Sequence, residues 1–185
     1  APRDWLGPYR YYHRSLQRLT WWRSGSWVLK SPHHLRHLEV LAEIFPDLCG
    51  IHLHRDPRKT TASGASLALA SRAVFTSAVE TREMGRRVFE NLVDMVEQGL
   101  AARRRLPRER FFDLQYVDLV RDPVGSLRRV YAYFGRAFTP AFAASLERYF
   151  DESRQHDRAR HRYTLDQFGL VLAAVREERV VGGIN

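Results

Sequence analysis

Cysteine is almost absent from this chain of 185 residues, in which Cys49 stands alone. One thiol cannot close an internal disulfide, so a reducing, cytoplasmic setting is expected. Cys49 lies in an apolar stretch, which predicts a core position. Lysine is also scarce: of the 30 basic residues only Lys30 and Lys59 are lysines, and the rest are arginines. No apolar run approaches the roughly 18 to 20 residues of a membrane span, and no charged-then-apolar leader precedes a small-residue cleavage site. The sequence therefore reads as soluble, with no membrane span and no export signal. It has no internal repeat, no low-complexity tract and no linker, so residues 1–185 read as one domain, long enough to bury roughly 70% of its unfolded-chain surface.

What is present begins with charge. A net charge of +9 and a pI near 10.3 favour an anionic partner, whether nucleic acid, an acidic membrane or a phosphate-rich small molecule. Hydrophobic content of 44%, aromatic content of 12% and charged content of 28% are globular values and exclude collagen-like or wholly disordered chains.

Tyr12, Leu16, Leu19 and Trp22 recur at helical spacing and predict a helix from Pro8 to Arg23, closed by Ser24-Gly25. Ser26 to Lys30 reads as a short strand. Ser31-Pro32 then offers a cap and a first-turn proline for a helix to Phe45. Gly50 to His54 reads as a second strand, and Asp56-Pro57 caps a helix to about Phe75. A long helix from Glu80 to Arg104, a third strand from Arg110 to Tyr116, a helix opened by Asp122-Pro123, and helices over 140–150 and 165–178 complete the pattern. Strands alternating with helices imply an α/β fold, a parallel sheet covered by helices, with a largely helical C-terminal part.

In open parallel sheets ligands bind beyond the carboxyl ends of the strands, beside helix N-termini. Two motifs fall there: Leu29-Lys30-Ser31-Pro32-His33-His34-Leu35, and His54-Arg55-Asp56-Pro57 with Ser63 and Ser66 on the helix after it. Together they form a candidate polyanion cradle. Ser31 and Asp56 are read as capping residues.

These motifs resemble the sulfotransferase family, in particular its bacterial branch, with Phe45-Pro46-Asp47 between them in the expected place. The resemblance implies a P-loop-like α/β fold and transfer of a sulfuryl group from 3'-phosphoadenosine 5'-phosphosulfate (PAPS) to an acceptor hydroxyl or amine, leaving adenosine 3',5'-bisphosphate. It implies that Arg55 and Ser63, eight positions apart, hold the 3'-phosphate. Gln115-Tyr116-Val117-Asp118-Leu119 resembles the segment whose tyrosine lies near the adenine. His161-Arg162-Tyr163 with Phe168-Gly169-Leu170 resembles the C-terminal motif, in a basic stretch with Arg158 and Arg160. The family's opening strand and glycine-serine-threonine loop for the 5'-phosphosulfate have no counterpart here, nor is there a G-x-x-x-x-G-K-[ST]. The chain, which begins at Ala1, is therefore expected to be a fragment or a truncated member, inactive without that loop.

In-line transfer needs a base for the acceptor proton and a cation for charge on the bridging oxygen. Lys30 suits the second role. At about 100° per residue His34 falls within about 60° of the apolar stripe centred on Leu38, and His33 about 140° away, so His34 points over the sheet edge as the base. The positive helix end is expected to keep it neutral. No metal is expected, because neither His33 with His37 nor His52 with His54 has a second cysteine or an obvious carboxylate to complete a site. The alternatives are a basic nucleic-acid-binding module or a catalytically dead paralogue that acts as a partner. The tryptophans, placed in apolar segments, argue against the former.

Overall fold

The computed structural model describes residues 4–76, 80–155 and 164–170. The chain divides into two compact units. One comprises residues 1–48, 91–110 and 179–185, and the other residues 49–90 and 111–178.

In the first unit, helix α1 (Leu6–Leu19) buries Tyr9 and Leu16, seven residues apart on one face. It packs on helix α2 (Leu38–Ile44), which contributes the buried Leu41 and Ala42. Between them the single helix expected from Pro32 is split: Pro32–His37 is a 3₁₀ segment, and α-helix begins only at Leu38. Ser31 does not cap it through its side chain; its carbonyl instead accepts from the His34 amide at 3.2 Å. Arg36 anchors the segment to the second half of the long helix α4 (Thr81–Arg103) through Asp94 at 2.8 Å and the Asn91 side chain at 2.8 Å. Gly99 lets Leu35 lie against that helix, since a Cβ there would collide with the Leu35 side chain and sit 3.0 Å from its carbonyl.

The strand expected over Ser26–Lys30 does not form. A short apolar run becomes a strand only where a ladder partner and a covered face meet it. Here Val28 is 93% and Trp27 46% exposed. The other tryptophans do not lie in the core either: Trp22 is 91% and Trp21 75% exposed.

The second unit holds the sheet. Strands β1 (Gly50–His54) and β2 (Phe111–Gln115) run parallel, Gly50 opposite Phe111 and His54 opposite Gln115. Two strands rather than three make the sheet among the described residues. The third expected strand stops one residue early, because Tyr116 opens the short helix α5 (Tyr116–Arg121). Phe111 and Leu114 are buried, whereas Ile51 and Leu53 of β1 remain half-exposed.

Helix α3 (Pro57–Ala73) follows β1. The Asp56 carboxylate accepts from the Arg58 amide at 2.9 Å, and proline occupies the first turn. Asp122 opens helix α6 (Pro123–Tyr133) in the same way, accepting from the Gly125 amide at 2.8 Å. Helix α7 spans Pro140–Gln155. Residues 165–170 form no α-helix but a 3₁₀ turn ending at Gly169, whose φ of 65° is left-handed; residues 171–178 of that expected helix lie outside the described residues. The turn inserts Phe168 and Leu170 beside Ala65, Leu69, Val88 and Phe89 as the core of this unit. Cys49 is exposed rather than buried, with the Arg136 guanidinium 3.9 Å from its Sγ.

Candidate functional site

In the second unit, chain direction alone brings two of the anticipated residues together. Parallel pairing places the carboxyl ends of β1 and β2 side by side, so Arg55 and Tyr116, the residues that follow them, emerge at one edge. The Arg55 guanidinium lies over the Tyr116 ring, 4.5 Å from its centroid. A cation over an aromatic face is attracted by the ring quadrupole and loses little of its capacity to donate hydrogen bonds. Around them is an open recess of about 340 Å³ lined by His54, Arg55, Asp56, Lys59, Gln115, Tyr116, Val117, Val120 and Arg121. The recess joins a cationic rim (Arg55, Lys59, Arg121) to an apolar flank (Val117, Val120).

Asp56 is committed elsewhere. Its carboxylate binds Arg58 in two-pronged fashion, Nη2 to Oδ2 at 2.7 Å and Nε to Oδ1 at 3.0 Å. The Arg58 hydrogen bond holds its pKa below the ordinary carboxylate range. Asp56 is thus a cap and a partner for Arg58, leaving Arg55 as the cation of the strand exit. Ser63 sits half-buried two turns into α3, and it is not part of the recess wall.

In the first unit, His34 is half-buried and His33 exposed. His34 is thus the ring turned inward, but not through the α-helical geometry expected. Within a 3₁₀ segment residues three apart eclipse, so His34 and His37 both face α1, each ring 5.7 Å from that of Tyr9. Tyr9 Oη lies 2.9 Å from His34 Nδ1. Burial, then the neighbouring His33, lowers the His34 pKa. Desolvation, rather than a helix end, keeps it neutral. Burial likewise lowers His37 and raises Tyr9, so three neutral groups meet. Lys30 is exposed, just before this segment. Arg158, Arg160 and His161 lie outside the described residues.

Sequence reasoning did not anticipate Tyr9, the alignment of His37 with His34, or Asp113. The first two required the 3₁₀ geometry, and the third required the strand register. Asp113 stands opposite His52 and supplies the carboxylate that the histidine pair lacked in sequence, 2.6 Å from His54 Nε2.

The fold is matched by known proteins. The model of the sulfotransferase family matches residues 4–140. The chain belongs to the sulfotransferase family. Omega-hydroxy-beta-dihydromenaquinone-9 sulfotransferase Stf3 from Mycobacterium bovis is 28% identical over 92% of this chain and 44% of its own length. Among solved structures, sulfotransferase STF9 from Mycobacterium avium superposes with a TM-score of 0.84 at 33% identity, covering 95% of this chain and 45% of that one. Sulfotransferase STF1 from Mycobacterium tuberculosis H37Rv gives 0.76 at 27% identity, over 95% and 45%. The chain thus spans less than half the length of these sulfotransferase relatives, and the likeness confirms the α/β class. Among the described residues no helix is long and apolar enough to cross a membrane.

Proposed function

We propose that this chain contributes the 3'-phosphate and adenosine half of a PAPS site, together with the acceptor base, to sulfuryl transfer onto a hydroxyl. The observation that carries this reading is the Arg55 guanidinium stacked on Tyr116 at the rim of the recess. An arginine fork matches phosphate oxygens in geometry and charge, and an aromatic ring with two valines suits a purine. Ser63 completes the phosphate contacts on this reading, and Arg158, Arg160 and His161 add cationic cover to the nucleotide. His34 takes the acceptor proton and Lys30 offsets charge on the bridging oxygen. A hydroxyl is the favoured acceptor because the name of the relative Stf3 specifies an omega-hydroxylated dihydromenaquinone.

Calorimetric titration with adenosine 3',5'-bisphosphate tests the reading. Arg55→Ala weakens binding by about 1.5 to 3 kcal/mol, the range for a charge-assisted hydrogen bond. Equal affinity of the two proteins removes Arg55 from the site.

One observation favours a second reading. From Trp5 to Leu38 the chain carries no acidic residue, while Arg10, Arg14, Arg18, Arg23, Lys30 and Arg36 alternate with aromatics, among them the exposed Trp21 and Trp22. Cations interleaved with exposed rings are what single-stranded nucleic acid binds. Affinity for an oligonucleotide that falls steeply with salt and survives Arg55→Ala supports this reading over the first.

A further inference from the structure

His52 and His54 are two residues apart on β1, so both side chains leave the same face of the strand. The register sets Asp113 of β2 directly beside His52 and one step diagonally from His54. The two imidazoles stack, with centroids 4.3 Å apart and planes at 30°. Both turn a ring nitrogen toward one carboxylate oxygen: His54 Nε2 lies 2.6 Å and His52 Nδ1 3.9 Å from Asp113 Oδ1. One candidate ligand atom from each of the three residues lies within 4.8 Å of the other two.

A hydrogen bond between His54 and Asp113 accounts for the short contact alone. The second imidazole, stacked on the first, brings a further ring nitrogen near the same oxygen. Donor atoms around one zinc ion at 2.0 to 2.1 Å and tetrahedral angles are about 3.3 Å apart. The two observed nitrogen–oxygen distances bracket that spacing, so rotation of a single carboxylate equalises them. The Asp113 side chain is 48% exposed, whereas those of His52 and His54 are 17% and 14% exposed.

We propose that His52, His54 and Asp113 form a binding site for one borderline divalent cation of the zinc class, with water completing its coordination. Two imidazoles and one carboxylate are a donor set that such ions take and that Mg²⁺, which prefers oxygen ligands, does not. His54 binds through Nε2 with its proton held on Nδ1, and His52 through Nδ1 with its proton on Nε2, so neutral imidazoles suffice. The site lies on the strands that lead to Arg55 and Tyr116, and a bound cation would cross-link β1 to β2. The inference is independent of the nucleotide reading.

The test titrates the full chain with Zn²⁺ against a chromogenic chelator, with the visible absorption of Co²⁺ as a second readout. One equivalent binds, Co²⁺ shows the intense bands of a low-coordinate site, and excess Mg²⁺ does not compete. His52→Gln and Asp113→Asn each lower affinity by more than the roughly 10- to 100-fold that loss of an outer partner costs. Asp113→Asn keeps a hydrogen-bond acceptor for His54 while removing the anionic ligand. His52→Gln leaves the His54–Asp113 contact in place and decides the matter if Asp113→Asn does not fold. Because His13, His33, His34 and His37 offer imidazoles elsewhere, His34→Gln/His37→Gln is the control and retains the tight site. Absence of stoichiometric binding, or binding unchanged in both site variants, overturns the proposal.

Discussion

Tyr9 and His34 share one hydrogen bond, and its direction decides what His34 can do. If the imidazole donates Nδ1–H to the phenol oxygen, Nε2 keeps its lone pair and can take a proton. If the phenol donates, the proton of the neutral ring sits on Nε2 and the base is blocked. The role assigned to His34 needs the first arrangement. A bond donated by the ring strengthens when the ring is charged, so it favours the imidazolium. Tyr9→Phe is therefore expected to lower the His34 pKa further, read by NMR titration of its ring protons. A rise would show that Tyr9 donates and would remove His34 as the base in that tautomer. At this scale the position of Arg55 at a strand exit was legible from the turn residues that follow it, whereas Tyr116 was singled out only by the family resemblance. Tyr9, 25 residues from His34, and Asp113, 59 from His54, were not legible, since nothing local encodes a contact at that separation.

The elements show where such legibility stops. Strand β1, flanked by turn residues and paired along its length, is where the alternation of its sequence put it. Ser26–Lys30 has an equally apolar pattern but pairs with no strand among the described residues, and strand propensity without a ladder produces no strand. The segment from Pro32 was readable as helical but not as 3₁₀, and that difference of pitch brought His37 into line with His34. Because burial lowers both pKa values, the first unit has a pH dependence of definite sign. Below about 6.5 the unfolded chain takes up protons that the folded unit refuses, so stability is complete above that pH and falls progressively toward the lowered folded values. Melts between about pH 7.5 and 5.5 should show decreasing stability, less so in His34→Gln/His37→Gln; a melt that is flat over this window contradicts the burial of both rings. In the second unit, a Cβ at Gly85 would lie 2.6 Å from the Phe168 carbonyl oxygen and 2.7 Å from its Cβ. Gly85→Ala gains up to about 1 kcal/mol of helix propensity, but overpacking against backbone costs about 1 to 3 kcal/mol. The variant should therefore melt lower, and a raised melting temperature would show that the turn at Phe168 can move aside.

For the whole molecule, charge and exposure have a joint consequence. The net charge is +9, and four tryptophans stand in the stretch that carries no acidic residue between Asp4 and Glu39. Trp22 is 91%, Trp21 75%, Trp27 46% and Trp5 39% exposed. Arg18 and Arg23 flank the first pair in sequence, and Lys30 follows Trp27. Anions must therefore concentrate around these indoles and cations must be depleted, whatever the partner that finally binds there. Fluorescence quenching separates the two factors. Exposure alone makes neutral acrylamide an efficient quencher and places the emission close to that of free tryptophan. Charge makes iodide quench more strongly than caesium, and the asymmetry should shrink as salt shortens the Debye length from about 10 Å at 0.1 M to about 3 Å at 1 M. Sequence reading anticipated the charge but set the tryptophans in apolar segments, and an apolar run gives no sign of whether a surface exists to cover it. Blue-shifted emission that resists acrylamide would place the tryptophans in a core. Equal quenching by iodide and caesium would show instead that the basic residues do not govern the surface around them.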